Sequence, residues 1–331
     1  MTLFVNERPV KFIQKKTYGT RLFVPDILNP KEVVKGNYFE FSYRPHCKNK
    51  DVKIYVYELC INARSTYRAQ EILDLLTATI SLTHSEPIFE IRQLLVYPLD
   101  SDDEVCDSFW FPNEELRFKI NGEYHIENIP LACEVAAKLS YKKSLINSVY
   151  KYYLSSYLCS IHPIDLQPYY YYRLSPFLYD HLRFAYAIVI AYSILEELKL
   201  EIRASKKNPS KIRGKWNPVV KNDLEKRLRK ANIDINEPIT WMLRGPRKKL
   251  ELLKPLKFIR NTSWSRGNVR DCEVKVINAI SWLSWVRSKF LAHKFSKDIA
   301  SLSVYDVSNA QLLMKRLLLE HIKMWPIYDY E

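Results

Sequence analysis

The hydrophobic pattern of this 331-residue chain changes near residue 130. Before that point, apolar and polar residues alternate in short runs at 37–43, 52–57 and 88–92. Such alternation is typical of half-buried strands. Residues 67–83 instead have apolar residues at helical spacing. Strands combined with at least one helix predict an α+β module over residues 1–130.

Beyond residue 130 the pattern is helical. Residues 131–158 lack proline and glycine, and 180–205 and 274–292 predict two further long helices. A capping box over Ser308–Gln311 predicts the start of a closing helix. The fold class is therefore predicted to be α+β overall, with a mixed N-terminal module and an all-α helical bundle over residues 131–331.

The third predicted helix ends in an arginine, a polar residue and a histidine, namely Arg287, Ser288 and His293. Histidine titrates near neutral pH and suits general acid–base work. Arginine grips phosphate oxygens through its planar fork and keeps its charge. Arg287 also follows Leu283 by four positions on the apolar face, where a cation needs a partner or a pocket. These residue types predict metal-free cleavage of RNA.

A structural alternative explains the same residues. Arg287 would snorkel from a core helix, and His293 would cap the C-terminal end of that helix. On a continuous helix six positions rotate by about 600°, so the two side chains would point roughly 120° apart. Catalysis therefore requires that the helix end between them or that a second copy of the chain complete the site.

This motif, followed by Lys294-Phe295-Ser296-Lys297-Asp298 and an amphipathic helix, resembles the HEPN superfamily of helical ribonucleases. Residues 184–197 are similar to an early HEPN helix that carries an internal acidic residue, especially in the Apea-like branch linked to anti-phage defence. The resemblance covers roughly the C-terminal 55–60% of the chain.

The resemblance implies that Arg287 and His293 are the catalytic pair, that Ser288 positions the substrate, and that Glu196 orients Arg287. It also implies a symmetric homodimer with a composite active site. The reaction would be attack of an RNA 2′-hydroxyl on the adjacent phosphate, leaving a 2′,3′-cyclic phosphate without a metal or another cofactor. Glu197 is equally acidic, so the choice between the two glutamates stays open. The alternative that Glu196 is an ordinary exposed helix glutamate with no role in the site also stays open.

Positive charge is concentrated in one part of the chain. The net charge is +14, and residues 201–260 contain 18 Lys/Arg against 6 Asp/Glu. Cations release counterions from phosphates, and aromatic rings stack on unpaired bases, so an insertion at about 206–260 is predicted to bind RNA. The predicted contacts are Lys206, Lys207, Lys211, Arg213, Lys215, Trp216, Arg247, Lys248 and Lys249, with Lys294 outside the insertion. The alternative is a solvated, partly mobile insertion.

Several classes of protein are disfavoured. The six glycines are too scattered for a phosphate-cradling loop, and the six cysteines lack the spacing of a zinc site or a disulfide frame. The longest apolar stretch covers about 12 residues, whereas a membrane span needs about 20. A cytoplasmic protein with no membrane partner, metal or cofactor is predicted.

Together these features predict a metal-independent endoribonuclease that acts as a toxin or effector in anti-phage defence. The N-terminal module would be a sensor or regulatory domain, and a phage-derived trigger or an antitoxin would be a further partner. Two alternatives stay open. One is a non-catalytic nucleic-acid-binding regulatory protein of the same fold, and the other is a factor that acts on DNA.

Overall fold

A computed structural model of the chain describes residues 15–25, 33–48, 55–84, 90–99, 129–159, 178–245, 250–264, 267–288 and 302–326. Its contacts divide the chain into two compact units, 1–146 and 147–331. The division falls inside one helix, α3 (Lys143–Leu158). The predicted boundary after residue 130 stays a prediction about domain organisation. Among the described residues, no helix has both the length and the apolar character that crossing a bilayer requires.

The first unit contains a five-stranded antiparallel sheet and the helices packed with it. The strand order is β2-β3-β4-β1-β5. The element bounds are β1 Lys16–Pro25, β2 Val34–Gly36, β3 Phe39–Lys48, β4 Tyr55–Ala63, α1 Thr66–His84, β5 Tyr97–Pro98 and α2 Ile129–Leu139. Helix α1 packs against α2 and β4, which confirms the predicted helix at 67–83.

A buried carboxylate joins the strands of this sheet. Glu58 of β4 is fully buried and pairs with Arg44 of β3 at 2.8 Å. The Tyr97 hydroxyl of β5 donates to Glu58 Oε1 at 2.6 Å, and the Arg21 backbone N–H of β1 donates to the same oxygen at 2.8 Å. Because a buried charge is costly unless it is paired and hydrogen-bonded, this arrangement ties three other strands to β4.

Two sequence predictions for this region are wrong. The predicted strand at 88–92 is a turn over its described part, because the Gln93 N–H bonds the Glu90 carbonyl and Arg92 adopts a positive φ of 73°. The single helix predicted at 131–158 is two helices, α2 and α3. Ser140 interrupts it: its hydroxyl donates to the Ala137 carbonyl and accepts from a backbone N–H of the β2–β3 turn, at 2.9 Å.

The second unit contains the rest of α3 and all later elements. Their bounds are α4 Leu178–Glu197, β6 Lys211–Ile212, β7 Lys215–Trp216, α5 Pro218–Lys230, β8 Pro238–Gly245, α6 Leu250–Leu253, β9 Lys257–Trp264, β10 Gly267–Lys275, α7 Val276–Val286 and α8 Val304–His321. Helix α8 packs against α4 and β8, and α7 packs against α6 and α5.

The prediction of an all-α second module is wrong, because this unit contains a three-stranded antiparallel sheet in the order β8-β10-β9. Strand β8 buries Ile239, Trp241 and Leu243 while Thr240 between them is exposed. This period of two is that of a strand. The residues of β8 fall within the predicted basic insertion. The many cations around them led to the prediction of an insertion instead of a strand.

The predicted helix limits also need correction. Helix α4 ends at Glu197 rather than at residue 205, because Lys199 adopts a left-handed φ of 60° and the Leu200 N–H bonds the Leu195 carbonyl. Helix α7 begins at Val276 because β10 continues through the two preceding residues.

The closing helix is confirmed, but its predicted capping box is not the one observed. Ser303 and Asp306 form the capping box of α8, whereas Ser308 lies inside the helix. Five apolar residues at helical spacing on α8 are fully buried: Ala310, Leu313, Met314, Leu317 and Leu318.

One side chain closes an edge of the three-stranded sheet. Asn309 of α8 is fully buried, and its Oδ1 accepts from the Met242 N–H at 2.9 Å. Its Nδ2 donates to the Met242 carbonyl at 2.7 Å. Asn309 therefore occupies the two hydrogen-bonding positions that a further strand would use on β8.

We predict that Asn309→Ala lowers the free energy of unfolding by about 2–4 kcal/mol, because it leaves an N–H and a carbonyl of β8 without these bonds. Thermal and urea denaturation followed by circular dichroism measures the change. The control is Asn236→Ala, at an exposed position. Equal stability of the two variants would contradict the assigned role of Asn309.

Candidate functional site

Helix α7 carries the candidate arginine to the surface. Its residues Val276–Leu283 and Val286 are buried, which fits a helix that is apolar nearly all round. The following residues, Arg287 and Ser288, are exposed. The regular α-helix ends at Val286, and Arg287–Ser288 continue as a π-helical turn. The chain therefore leaves the core at Arg287.

The two adjacent glutamates of α4 have different partners. Glu196 Oε1 lies 3.3 Å from Arg287 Nη2, and these side chains are 46% and 44% exposed. Glu197 instead accepts from Lys151 Nζ at 2.8 Å and from Asn147 Nδ2 at 3.1 Å. The structure thus brings Glu196, and not Glu197, to Arg287. Whether Glu196 orients Arg287 for catalysis stays a prediction.

A tyrosine that the sequence reasoning did not single out completes this cluster. The Arg287 guanidinium carbon lies 5.3 Å from the centre of the Tyr192 ring. Tyr192 is only 6% exposed. Burial raises the pKa of Tyr192, with Ser284 and the positive charge of Arg287 acting in the opposite direction. Tyr192 precedes Glu196 by four positions on α4, a spacing that signals a shared helix face.

A carboxylate that the sequence did not single out, that of Glu201, also lies near Tyr192. The charges of Glu196 and Glu201 both add to the rise in the pKa of Tyr192. Glu201 Oε1 pairs with Arg203 Nε at 2.8 Å. Arg227 of α5 donates to the Glu201 carbonyl at 2.9 Å and also to the Lys199 carbonyl. Arg227 therefore fixes the turn that follows α4, and nothing in local sequence spacing indicates these tertiary contacts.

Ser288 is the other predicted catalytic residue that the structure describes. The Ser288 hydroxyl donates to the Trp285 carbonyl at 3.1 Å, so it is already bonded within its own turn. His293 lies outside the described residues, as do Arg247, Lys248, Lys249 and Lys294. Their assigned roles stay predictions.

The described part of the basic insertion begins with a small hairpin. Strands β6 and β7 pair Lys211 with Trp216, and Arg213 and Gly214 form the tip with φ values of 48° and 76°. Two successive positive φ values are those of a type I′ turn. Lys215 and Arg213 are exposed, as are Lys206 and Lys207 before the hairpin.

Trp216 fastens this hairpin to α7. Its indole N–H donates to Asn278 Oδ1 at 3.1 Å, and Lys211 Nζ lies 5.9 Å from the centre of its ring. Burial lowers the pKa of Lys211, and the nearby charge of Lys254 lowers it further. Trp216 and Lys211 therefore make structural contacts, while the cations around them are exposed. The RNA contacts assigned to Trp216 and Lys211 stay predictions.

The hairpin and the Arg287 cluster lie at different places on α7. Asn278 and Arg287 are nine residues apart, which corresponds to about 14 Å along a helix and roughly two and a half turns. The two side chains therefore leave the helix on roughly opposite sides. The structure brings Arg287, Ser288 and Glu196 together but does not place the hairpin cations beside them.

Comparison of the chain with protein-family models, curated proteins and solved structures gives no match. Across the residues that the structure describes, no three or more His, Cys, Asp or Glu side chains form a group that could hold a metal ion. The HEPN relationship consequently stays a hypothesis based on the motif around Arg287 and on the residues of α4.

The geometry of the cluster predicts two opposite shifts in the pKa of Tyr192. Arg287→Ala should raise this pKa, because a positive charge that favours the phenolate is lost. Glu196→Gln should lower it, because a negative charge is removed. NMR titration of tyrosine labelled with ¹³C at Cζ, with Tyr192 assigned through Tyr192→Phe, measures both shifts.

Glu197→Gln is the matched control, since the Glu197 carboxylate is bound to Lys151. It should leave the Tyr192 titration unchanged. Equal shifts in Glu196→Gln and Glu197→Gln would show that the arrangement at Arg287 is wrong.

Proposed function

We propose that this protein is a metal-independent endoribonuclease of the HEPN type, with Arg287 in its active site. The observation that carries the proposal is the contact of Arg287 with Glu196 at the point where the buried helix α7 reaches the surface. The acid and the arginine come from the two segments that carry the HEPN resemblance, although 91 positions separate them in sequence. We further propose cytoplasmic action as a growth-arresting effector in anti-phage defence.

Arg287 is suited to bind a scissile phosphate. Its guanidinium has five N–H donors, one nitrogen contacts Glu196, and the side chain is 44% exposed. The remaining donors can bind phosphate oxygens in a bidentate manner. As the attacking oxygen adds to phosphorus, negative charge grows on these oxygens, and a fixed cation stabilises that state more than the ground state.

His293 would supply the acid–base chemistry. A neutral imidazole takes the proton of the ribose 2′-hydroxyl while the 2′-oxygen bonds to phosphorus. The bond from phosphorus to the 5′-oxygen breaks, and that oxygen takes up a proton as it leaves. The products are a 2′,3′-cyclic phosphate and a 5′-hydroxyl. Ser288, on the same turn as Arg287, would contact the substrate beside the reacting phosphate.

A homodimer forms part of the proposal. Six positions separate Arg287 from His293, and on one continuous helix their side chains would not meet at one phosphate. In a symmetric dimer, a second copy of the chain could supply the arginine or the histidine. Residues 1–130 would then form a sensor or regulator of cleavage, responding to a phage-derived trigger or to an antitoxin. This assignment rests on analogy with defence nucleases that join a sensor to an effector.

Exposed cations support RNA as the substrate. Lys206, Lys207, Arg213 and Lys215 form no ion pair with the part of the chain that the structure describes. By contrast, Lys221 pairs with Glu225. Unpaired cations bind phosphates without first breaking an existing contact. Because the hairpin is attached to α7 nine residues away from Arg287, its cations favour an RNA long enough to reach both places.

Cleavage of labelled single-stranded RNA in excess EDTA tests this function. Wild type should cleave, while Arg287→Ala and His293→Ala should each lose at least about a hundredfold in rate. Glu196→Gln should lose less, and it should remain folded because an exposed ion pair stabilises a protein by no more than about 1 kcal/mol.

Arg229→Ala, at an exposed arginine on the last turn of α5, is the matched control and should keep wild-type activity. Unchanged activity in His293→Ala, or cleavage only after metal is added, would contradict the proposal.

The basic surface has a separate test. Replacing Lys206, Lys207, Arg213 and Lys215 together by alanine should reduce the salt dependence of RNA binding. The slope of log K against log salt should fall by about 3, since each phosphate contact to a single strand contributes about 0.7. Fluorescence anisotropy at several salt concentrations measures this slope.

The double variant Lys221→Ala/Lys257→Ala removes two ion-paired cations and should change the slope much less. An unchanged slope in the quadruple variant would exclude this surface as the RNA contact. RNA binding that is lost in the quadruple variant and kept in His293→Ala, with no cleavage by wild type, would favour a non-catalytic nucleic-acid-binding protein.

A further inference from the structure

The Arg287 guanidinium is held in two different ways. Nη2 contacts Glu196 Oε1 at 3.3 Å, and the guanidinium carbon lies 5.3 Å from the centre of the Tyr192 ring. The Glu196 carboxylate constrains one edge of the guanidinium, and the face of the Tyr192 ring attracts the positive charge of the guanidinium. Even so, the Arg287 side chain remains 44% exposed, so it can still reach a ligand in solvent.

The Tyr192 ring is itself fixed from both helices. It is 6% exposed on α4, and Ser284 of α7 lies close enough to its hydroxyl to affect its pKa. Ser284 precedes Arg287 by three positions, and Tyr192 precedes Glu196 by four, so each pair lies on one face of its helix. Arg287 of α7 thus has two contacts with α4, one with the Glu196 carboxylate and one with the Tyr192 ring.

We propose that Tyr192 is a positioning residue that sets the orientation of Arg287 toward the scissile phosphate. This inference rests on the nuclease function proposed above. A long arginine side chain at a helix end has many rotamers, and catalysis needs the one that directs its free donors at the reacting oxygens. The ring and the carboxylate restrict Arg287 before the substrate arrives, which increases the rate of the bound complex more than it increases affinity.

The effect of the ring can be separated from that of the hydroxyl and from simple filling of space. Tyr192→Phe keeps the aromatic face and removes the hydroxyl. Tyr192→Leu keeps an apolar side chain and removes the aromatic face. We expect kcat for RNA cleavage to fall about tenfold in Tyr192→Leu, the size expected for one cation–π contact, with KM nearly unchanged. Tyr192→Phe should keep kcat within about threefold of wild type.

Tyr152→Leu controls for the loss of a buried tyrosine, because Tyr152 lies on α3 and is 1% exposed. Thermal denaturation gives the folded fraction of each variant, to which kcat is normalised. A fall in normalised kcat in Tyr192→Leu but not in Tyr152→Leu supports positioning. Equal falls in the two variants, or in Tyr192→Leu and Tyr192→Phe, would overturn it.

NMR of the Arg287 side chain provides a readout that needs no activity. The Nε–H resonance, assigned through Arg287→Lys, should be shifted by the ring current of Tyr192. It should keep that shift in Tyr192→Phe and lose it in Tyr192→Leu. If wild type cleaves no RNA, the proposed function fails while this spectrum still tests the support of Arg287 by Tyr192. A resonance that does not move in Tyr192→Leu would overturn the inference.

Discussion

The contact between Arg287 and Glu196 depends on how deeply α7 is buried. An apolar helix in the core has few ways to shift, because close packing on every side resists displacement. Trp282 of α7 packs edge-on against Trp241 of β8 at 5.4 Å between ring centres, and both rings are fully buried. Strand β10 leads directly into α7, so the sheet fixes where the helix begins. The point at which α7 leaves the core, and hence the place of Arg287, follows from this packing.

Sequence periodicity predicted helices α1, α7 and α8, which fall where apolar spacing places them. It did not predict the three-stranded sheet, because the alternation in β8 is short and lies among cations that read as an insertion. It also missed the break at Ser140. There the Ser140 hydroxyl bonds the Ala137 carbonyl and a backbone N–H of the β2–β3 turn. A helix-period pattern cannot register such a competing hydrogen bond.

Part of the candidate site was likewise predicted from the sequence, and part of it is visible only in the structure. The residue types of the motif identified Arg287, and the position of Glu196 on a predicted helix made it a candidate partner. Choosing Glu196 over Glu197 required the packing of α4 against the rest of its unit, in which Lys151 engages Glu197. Tyr192 was within the sequence motif but had no signal of its own, since a buried tyrosine and a cation-binding tyrosine look the same in sequence. The basic hairpin was predicted as a charge cluster, whereas its attachment through Trp216 to the far end of α7 is a tertiary property.

If Arg287 serves a transphosphorylation of RNA, the product ends and the need for a 2′-hydroxyl will reveal it. A defined RNA and the same RNA with a single 2′-deoxynucleotide at the mapped cleavage position would be incubated with wild-type protein in EDTA, and the ends identified by mass spectrometry. We expect 2′,3′-cyclic phosphate and 5′-hydroxyl ends from the RNA, with no cut at the 2′-deoxy position. Cleavage of the 2′-deoxy substrate at that position, or products with 5′-phosphate ends, would contradict it.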